Sequence, residues 1–580
     1  MDINPRTSSA RKLQYIVYLI LRRMRTPLIL LVCAYAISVT GFVLIPGMND
    51  QGQPWKMDFF HAFYFVSFMG STIGFGEIPY PFTDAQRLWT LFTIYATVIS
   101  WLYAIGTLIA LLQTPFFRAA VTRNSFRRKV KKIKQPFYVV CGYGDTGRLM
   151  VEALTYQGIN CVVIDKDQDR INELDLEYLP LEVPSLHGDA ADSDTLSRAG
   201  IKHQFCKGVV AVTRNEQVNL KAAIASKLLN PEAKIFCWAE THDVGANMAS
   251  FGTDHIINPY DTFADYLSTA LTSPSRYLLH QWLTSSRNAP LCKPIFPPNG
   301  RWILCGYGRF GKAVYKKLLA HGLPVTVIEN RPDFTHPPDN SIIGRGTEAE
   351  TLEAAEIHKA VGIIAGTDHD VNNLSILITA KAINAKLFTI ARQEYSSNSE
   401  IFAAADFDLV TSHSSLIASQ LLAQMTTPLT ANFLHLVTQQ SDEWASALAS
   451  KLTACGEGMN PLSWVISLNH RRAAAFIERF NQGDNIHLHH LMREPTNRKK
   501  KLPCVVLLLQ RDAKQILLPD DKTPIYPDDR ILFAGDIKAK WKINHIITSS
   551  EVLRYTLTGS HPPTSIFWRW ATRISGRMSG

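Results

Sequence analysis

Two glycine-rich turns have the spacing that holds phosphate groups against a protein backbone. Residues 142–147 and 306–311 both read GxGxxG, and each turn follows an apolar stretch and precedes a helical one. The first glycine allows the tight turn, the second lets a pyrophosphate approach, and the third lets helix pack on strand. The helix N-terminus then offers free N–H groups to the anion. The turns therefore predict two dinucleotide-binding sites.

An acid ends the second predicted strand after each turn, Asp165 in the first copy and Glu329 in the second. An acid at this position accepts hydrogen bonds from ribose hydroxyls, which favours NAD or an adenosine ligand over NADP. The candidate cofactor-binding residues lie in the glycine turns, at or beside the two acids, or at equivalent strand ends in the two copies. They are Gly142, Tyr143, Gly144, Asp145, Thr146, Gly147, Asp165, Lys166, Asp189, Thr213, Gly306, Tyr307, Gly308, Arg309, Phe310, Gly311, Glu329, Asn330, Arg345 and Thr367.

The two copies form an internal repeat. The same offset of 164 residues separates Gly142 from Gly306 and Asp165 from Glu329. A constant register across turn, helix and strand indicates a duplicated domain. The copies differ at Asp189, whose counterpart lies in the stretch that contains Arg345. An acid suits ribose, adenine or a cation and an arginine suits phosphate, so we hypothesise that the domains prefer different ligands.

A third glycine pattern lies between two long apolar runs, 27–45 and 88–112. The aromatic stretch 59–69 is too short to cross a bilayer and leads directly into Thr72-Ile73-Gly74-Phe75-Gly76-Glu77. Non-helical backbone is tolerated at membrane depth where it is buried in protein or lines a wet cavity. Alternating glycines let successive carbonyls face one axis, and rings of carbonyls can replace the hydration shell of potassium.

Charge predicts the orientation of the two spans. Basic residues precede the first span and follow the second, and no acid lies between Asp2 and Asp50 or between Asp84 and Asp145. Loops of this kind stay in the cytoplasm, so we expect a multi-pass protein of the cell (inner) membrane with both termini cytoplasmic. An interfacial helix over 15–20 and a frayed leader are both open readings of the segment before the first span.

Two residues of the second span compete as a gating hinge, Gly106 and Ser100. A glycine in a membrane helix can equally serve close helix packing. The spans carry no ladder of arginines at three-residue spacing, which argues against a voltage sensor.

The stretch 72–77 resembles the potassium-channel pore signature TVGYGD, with Ile73, Phe75 and Glu77 as the departures. The resemblance implies that the carbonyls of residues 72–75 and the Thr72 hydroxyl coordinate potassium ions. Gly76 completes the filter, and Glu77 keeps an acid at its outer mouth. The loss of the tyrosine hydroxyl at Phe75 puts the bracing of the filter from behind in doubt.

Residues 135–580 resemble the RCK, or TrkA-N, domains, here in tandem. Crossover helices are expected over 259–283 and 413–436, and a C-terminal lobe over 464–535; the first copy has almost no room for such a lobe. The order of domains resembles ligand-gated prokaryotic potassium channels with two transmembrane helices. It implies a homotetramer whose RCK domains contact each other within and between subunits, in a gating ring. NAD or ADP are the implied ligands, with calcium open and any metal site unknown.

The expected fold class is an α-helical membrane pore domain (two transmembrane helices plus a pore helix) followed by α/β structure. The α/β part comprises two tandem Rossmann-like RCK domains, the second with a small α+β lobe. The boundaries are a basic N-terminal segment 1–26, a pore domain 27–112, a linker 113–135, a first RCK domain 136–298 and a second 299–580.

Rival functions fit less well. A dehydrogenase would need a substrate domain with a general acid or base, and the sequence offers no space for one, so we expect no enzyme. An NAD-binding regulatory subunit of a potassium transport system remains the alternative, although it would leave the pore signature unexplained. The basic run 497–501 lacks any nucleic-acid-reading motif, so no nucleic-acid partner is expected. His487, His489 and His490, in a predicted strand, are either metal ligands or solvent-facing.

Overall fold

The computed structural model describes residues 5–114, 125–284, 295–456 and 460–560, with side chains described from residue 22 onward. The chain divides into two compact units, Met1–Lys129 and Val130–Gly580. Part of the predicted linker, residues 115–124, lies outside the described residues.

The first unit is a helical hairpin with a short helix between its arms. Its elements are α1 Pro5–Leu44, β1 Gly47–Met48, β2 Pro54–Trp55, α2 Phe59–Gly70 and α3 Asp84–Gln113. The segments long and apolar enough to cross a membrane are Arg22–Leu44 and all of α3. Residues 15–20 are a continuous part of α1, so the separate interfacial helix considered from the sequence is not formed.

Aromatic packing and capping hold the three helices of this unit together. Phe42 of α1 packs against Phe65 of α2 with ring centroids 4.9 Å apart. The Trp89 indole N–H on α3 donates to the Ser38 carbonyl at 3.0 Å. At the N-terminus of α2, Asp58 accepts the backbone N–H of His61 at 2.7 Å, which satisfies one of the donors that every helix start leaves free.

A helix over 125–132 (α4) contains the boundary between the two units, and the second unit continues as a Rossmann domain. The elements of this domain are β3 Phe137–Cys141, α5 Asp145–Tyr156, β4 Asn160–Asp165, α6 Gln168–Leu176, β5 Ser185–His187, α7 Ser193–Arg198, β6 Cys206–Ala211, α8 Glu216–Leu229, β7 Lys234–Trp238, α9 His242–Ser250, β8 His255–Ile257, α10 Pro259–Thr272 and α11 Pro274–Thr284. Its six strands are parallel in the order β5-β4-β3-β6-β7-β8, the doubly wound arrangement.

The second Rossmann domain repeats this arrangement. Its elements are β9 Trp302–Cys305, α12 Arg309–Ala320, β10 Val325–Glu329, α13 Pro332–Thr335, β11 Ile342–Ile343, α14 Ala349–Ala354, β12 Gly362–Ala365, α15 Asp370–Ile383, β13 Phe388–Gln393, α16 Ser399–Ala404, β14 Leu409–Ser412, α17 His413–Thr426, α18 Pro428–Val437 and α19 Asp442–Thr453. The strand order β11-β10-β9-β12-β13-β14 matches the first sheet strand for strand. The predicted fold class, including the duplication, is confirmed.

A smaller α+β lobe follows. Its elements are β15 Leu462–Ser467, α20 Ala474–Asn481, α21 Leu488–Leu491, β16 Arg493–Glu494, β17 Asn497–Lys501, β18 Cys504–Arg511, β19 Lys514–Leu517, β20 Arg530–Gly535, α22 Ile537–Thr548 and α23 Ser550–Thr558. The strands β15-β20-β18-β19 form an antiparallel sheet. The strand predicted around the three histidines is wrong: they flank or lie on α21, with His490 buried.

The two Rossmann domains exchange the helices that follow their sheets. Phe263 of α10 stacks on Phe310 of the second domain at 4.9 Å, inside that domain's core. In return, Ile417 and Leu421 of α17 are fully buried in the core of the first domain. Full burial of one such side chain contributes roughly 1.5–3 kcal/mol, so the exchange ties the two domains into one body.

Candidate functional site

The backbone of the filter segment alternates in handedness. Thr72, Gly74 and Gly76 have φ of +63°, +68° and +95°, whereas Ile73 and Phe75 between them do not have positive φ. Alternation of left- and right-handed residues turns successive carbonyls to the same side of the chain. Glycine adopts positive φ without steric cost, which explains its spacing here.

The pore helix α2 anchors the start of this segment. The N–H of Thr72 donates to the Met69 carbonyl at 3.0 Å, and that of Ile73 to the Phe68 carbonyl at 2.9 Å. The Phe75 ring meets the Phe68 ring edge-on, with centroids 5.4 Å apart. This aromatic contact braces the segment where no tyrosine hydroxyl is available.

Glu77 is held by two donors at the end of the filter segment. Its carboxylate accepts the backbone N–H of Phe82 at 2.8 Å and the Arg87 Nε–H at 3.0 Å. These two bonds hold Glu77, the acid predicted at the outer mouth, near the start of α3.

Both hinge candidates lie within the uninterrupted helix α3. A Cβ at Gly106 would meet no atom within 4 Å. The Ser100 hydroxyl donates to the Ala96 carbonyl at 2.6 Å. Neither observation distinguishes a hinge from an ordinary helical position.

In the first Rossmann domain, the glycine turn and the strand-ending acid are bonded together. Gly142 has φ of +100°, and a Cβ at Gly147 would collide with the Gly142 carbonyl. Asp165 is 4% exposed and accepts the N–H groups of Tyr143, at 2.5 Å, and Asp167, at 2.8 Å. These bonds draw the acid and the glycine turn to the same edge of the sheet.

The second Rossmann domain has the same construction. Gly306 has φ of +95°, and Glu329 accepts the N–H groups of Tyr307 at 2.6 Å and Arg331 at 2.8 Å. A Cβ at Gly308 would meet nothing within 4 Å. The backbone at the second glycine is therefore open to an approaching phosphate, so the residues fit a dinucleotide.

Thr213 and Thr367 close the fourth strands of the two sheets in the same way. Each threonine donates its backbone N–H, at 3.0 Å, and its hydroxyl, at 2.7 Å, to the side-chain oxygen of an asparagine. The asparagines are Asn219 and Asn373, both fully buried. The threonine positions are thus part of the wall beside each glycine turn.

The two residues expected to distinguish the sites, Asp189 and Arg345, are exposed. Lys166 and Asn330, directly after the acids, are exposed as well. Asp189 accepts the N–H of Ala191 at 2.8 Å within its own loop. Among the described residues, no three histidine, cysteine, aspartate or glutamate side chains converge as a metal site.

Sequence reasoning named Arg309 but missed the contacts that reach from each domain to the other's glycine turn. Arg309, at the start of α12, forms an ion pair with Glu240 of the first domain and lies 5.7 Å from the Tyr260 ring centroid. Burial raises the pKa of Glu240, and the charge of Arg309 opposes that rise. Beside them, Arg392 is 4% exposed and pairs with Asp368 and Glu394.

The corresponding contact at the first turn is made by the second domain. The Ser396 hydroxyl donates to Asp145 at 2.7 Å, and Arg214, 3.7 Å from Asp145, lies over the Tyr395 ring. Glu240 and Glu394 occupy the same place after the fifth strands of the two sheets. The equivalent positions of Glu240 and Glu394 were the signal in the sequence that could have indicated these interdomain loops.

Comparison with known proteins finds a matching family for a segment of each unit. Residues 29–114 match the ion channel family, and residues 138–259 and 302–413 match the TrkA-N domain. Potassium channel protein 1 of Methanocaldococcus jannaschii is 30% identical over 203 residues, which are 35% of this chain and 59% of that one. The voltage-gated potassium channel Kch of Escherichia coli is 27% identical over 179 residues, 30% of this chain and 40% of its own length.

The chain therefore joins one segment similar to ion channels to two segments similar to the TrkA-N domain. It is a membrane protein. The alignments span less than two thirds of these curated relatives. Among solved structures, the GsuK channel bound to NAD aligns over 92% of this chain and 99% of its own, at 14% identity and a TM-score of 0.46.

Proposed function

We propose that four copies of this chain form a potassium-selective channel of the cell (inner) membrane, opened or closed by nucleotides that bind its RCK domains. Both termini would lie in the cytoplasm, where the nucleotides are. The protein would act as a channel and not as an enzyme, with no nucleic-acid partner.

The observation that carries the proposal is the alternating backbone of residues 72–76 at the C-terminal end of α2. In one chain the side chains of Ile73 and Phe75 are more than half exposed, and this exposure of apolar surface is unfavourable for a monomer. Four copies around an axis would enclose these segments and turn their carbonyls toward a single file of ions. The Thr72 hydroxyl would complete the innermost ring.

The RCK domains supply the ligand sites. Each glycine turn presents the N-terminus of a helix, α5 or α12, whose N–H groups and dipole favour phosphate. Asp165 and Glu329 lie beside those turns, in the place where an acid receives ribose hydroxyls. These features support NAD or ADP as gating ligands; a role for calcium has no support of this kind.

Gating would work by differential affinity. A nucleotide shifts a channel toward the ring conformation that it binds more tightly, and a ligand of equal affinity for both conformations shifts nothing. The linker 113–135 would transmit the change in the ring to the inner end of α3. The contacts between the two RCK domains would couple a rearrangement at one glycine turn to the other domain.

The test is potassium flux through the purified protein in liposomes, with NAD, ADP and calcium added in turn. We expect flux selective for potassium over sodium and altered by at least one nucleotide. Selective flux that ignores every nucleotide would refute ligand gating by these sites and leave the pore. Absence of flux from protein shown to be tetrameric would favour the regulatory-subunit alternative.

A further inference from the structure

A cavity of about 520 Å³ in the C-terminal lobe has a lining that is mostly cationic. It lies on the hairpin of β16 and β17, and none of its residues belongs to a glycine turn or to the filter. The lining residues are His489, Met492, Arg493, Arg498, Lys499, Lys500, Lys501 and Asp521.

Like charges face each other across this hairpin. Arg493 on β16 is the direct Cα partner of Lys501 on β17, and like charges in opposed positions of an antiparallel pair are destabilising. The one carboxylate in the lining, Asp521, is 2.7 Å from the Lys501 ammonium. It compensates one of five basic side chains, so the cavity keeps an excess of positive charge.

The two arginines are fixed in place. Arg493 Nη1 donates to the Thr556 carbonyl at 3.1 Å, and Arg498 Nη2 to the Leu557 carbonyl at 2.6 Å. These carbonyls belong to the last turn of α23, where a cation is favoured by the helix dipole. Each guanidinium has five N–H donors, and the buried Arg498 Nε–H has no partner in the described part of the chain.

The two lysines at the centre of β17 are exposed, and in the described ranges neither Lys499 nor Lys500 takes part in an ion pair. The positive charge of this region also affects the pKa of the neighbouring His490. Burial and the charges of His489, Arg493, His487 and Arg498 lower the pKa of His490 to about 3. An anion in the cavity would relieve this repulsion.

We propose that this cavity binds a small phosphate-bearing anion, with Arg493 and Arg498 as fixed donors and Lys499 and Lys500 as exposed charges that close on it. Planar guanidinium groups match phosphate oxygens well. The volume lies in the range of pockets for small molecules and exceeds the needs of a single phosphate, so a di- or oligophosphate group fits best. The channel would then have an anion sensor separate from its glycine turns.

The experiment titrates the full-length protein in detergent with inorganic pyrophosphate and compares two double variants by calorimetry. Lys499→Ala/Lys500→Ala removes exposed charge from the cavity. Lys514→Ala/Lys538→Ala removes two exposed lysines of the same lobe that do not line it. We expect the first variant to lose at least tenfold in affinity for one class of sites, and the second to stay within twofold of the parent.

A parallel arm uses vesicles that contain phosphatidylglycerol. Loss of vesicle binding in the first variant, without any change in pyrophosphate affinity, would identify the phosphate as that of a lipid headgroup. Equal behaviour of the first variant and the parent in both arms would overturn the proposal. So would an equal loss in both double variants, because it would indicate unspecific attraction. Both double variants leave the glycine turns unchanged, so failure here leaves the proposed gating untouched.

Discussion

The Ser396 hydroxyl of the second RCK domain donates to Asp145 Oδ1 of the first across 2.7 Å. Asp145 is the first residue of α5, the helix whose N-terminus faces the predicted phosphate site. A loop of one domain is thus bonded to the predicted ligand-binding turn of the other. A phosphate arriving at that turn must share the helix N-terminus with a carboxylate that the second domain holds in position.

The first prediction follows from this bond. In Ser396→Ala, Asp145 loses a hydrogen bond worth about 1 kcal/mol, so nucleotide affinity at the first turn should change roughly fivefold, and the response of flux to nucleotide should change with it. Potassium selectivity should stay as in the parent. Calorimetry and liposome flux measure the two effects.

Ser450→Ala is the matched control, because Ser450 is exposed on α19 and its hydroxyl donates to the Ser446 carbonyl of the same helix. Identical nucleotide affinity and gating in Ser396→Ala and Ser450→Ala would contradict a role for the interdomain bond.

The second prediction concerns the filter. Alanine at Gly74 must either keep φ near +68°, at a cost of roughly 1–2 kcal/mol per subunit, or turn the carbonyl away from the axis. Gly74→Ala should therefore abolish selective potassium flux. Gly52→Ala introduces alanine at a similar φ of +75° in a loop outside the filter, and it should conduct like the parent. Selective flux through Gly74→Ala would refute the assigned filter.

The sequence predicted the fold because the fold depends on local pattern, and the predicted site residues rest on the same pattern. Glycine spacing reports where the chain needs positive φ, and the strand–turn–helix order with a terminal acid specifies the Rossmann edge. The pairing of Arg309 with Glu240 was not predictable in this way. It exists because α10 and α17 are exchanged between the domains, and such an exchange leaves no periodic signal.

The misread histidine segment has a different cause. His487, His489 and His490 alternate with apolar residues closely enough to suggest a strand, which has period two. Leu488 and Leu491 are instead both fully buried from one turn of α21, and residues three apart share a helix face. Tertiary packing therefore determines that this segment is helical. Four residues are too few for their periodicity to distinguish a helix from a strand.

The third prediction separates the two nucleotide sites. Asp165→Asn places an amide where a carboxylate accepts two backbone N–H groups, and Glu329→Gln does the same in the second domain. Each change should weaken nucleotide binding at its own turn by at least tenfold and lower stability by about 1–3 kcal/mol. Calorimetric titrations of the full-length variants with NAD and with ADP measure the binding.

The pair of variants also tests whether the domains prefer different ligands. If they do, one variant should lose mainly NAD binding and the other mainly ADP binding. Equal losses of both nucleotides in both variants would contradict that hypothesis, and unchanged titrations would contradict the assignment of the acids themselves.

The last prediction is a loss of stability in mild acid, caused by partly buried histidines at the junction of the RCK domains. Burial lowers the pKa of His280 to about 4 and, together with the charges of Arg392 and Arg309, that of His413 to about 3. His280 lies 3.0 Å from the Tyr266 hydroxyl, within hydrogen-bonding distance.

The ordinary pKa of histidine, near 6.5, applies to the unfolded chain. Between that value and the folded pKa only the unfolded chain takes up the proton, so the stability from these neutral histidines is complete above pH 6.5. It falls as the pH drops toward 4, by up to about 1.4 kcal/mol per pH unit for each group. Thermal unfolding from pH 7.5 to 4.5 should show this decline.

His280→Gln keeps a hydrogen-bonding partner for Tyr266 without a titrating group, so its unfolding temperature should depend less steeply on pH than that of the parent. His358→Gln, at an exposed position, should retain the parental slope. Because both variants carry the same carboxylates, a difference between their slopes isolates the contribution of His280. Parallel slopes for parent and His280→Gln would mean that the site admits the proton in the folded state.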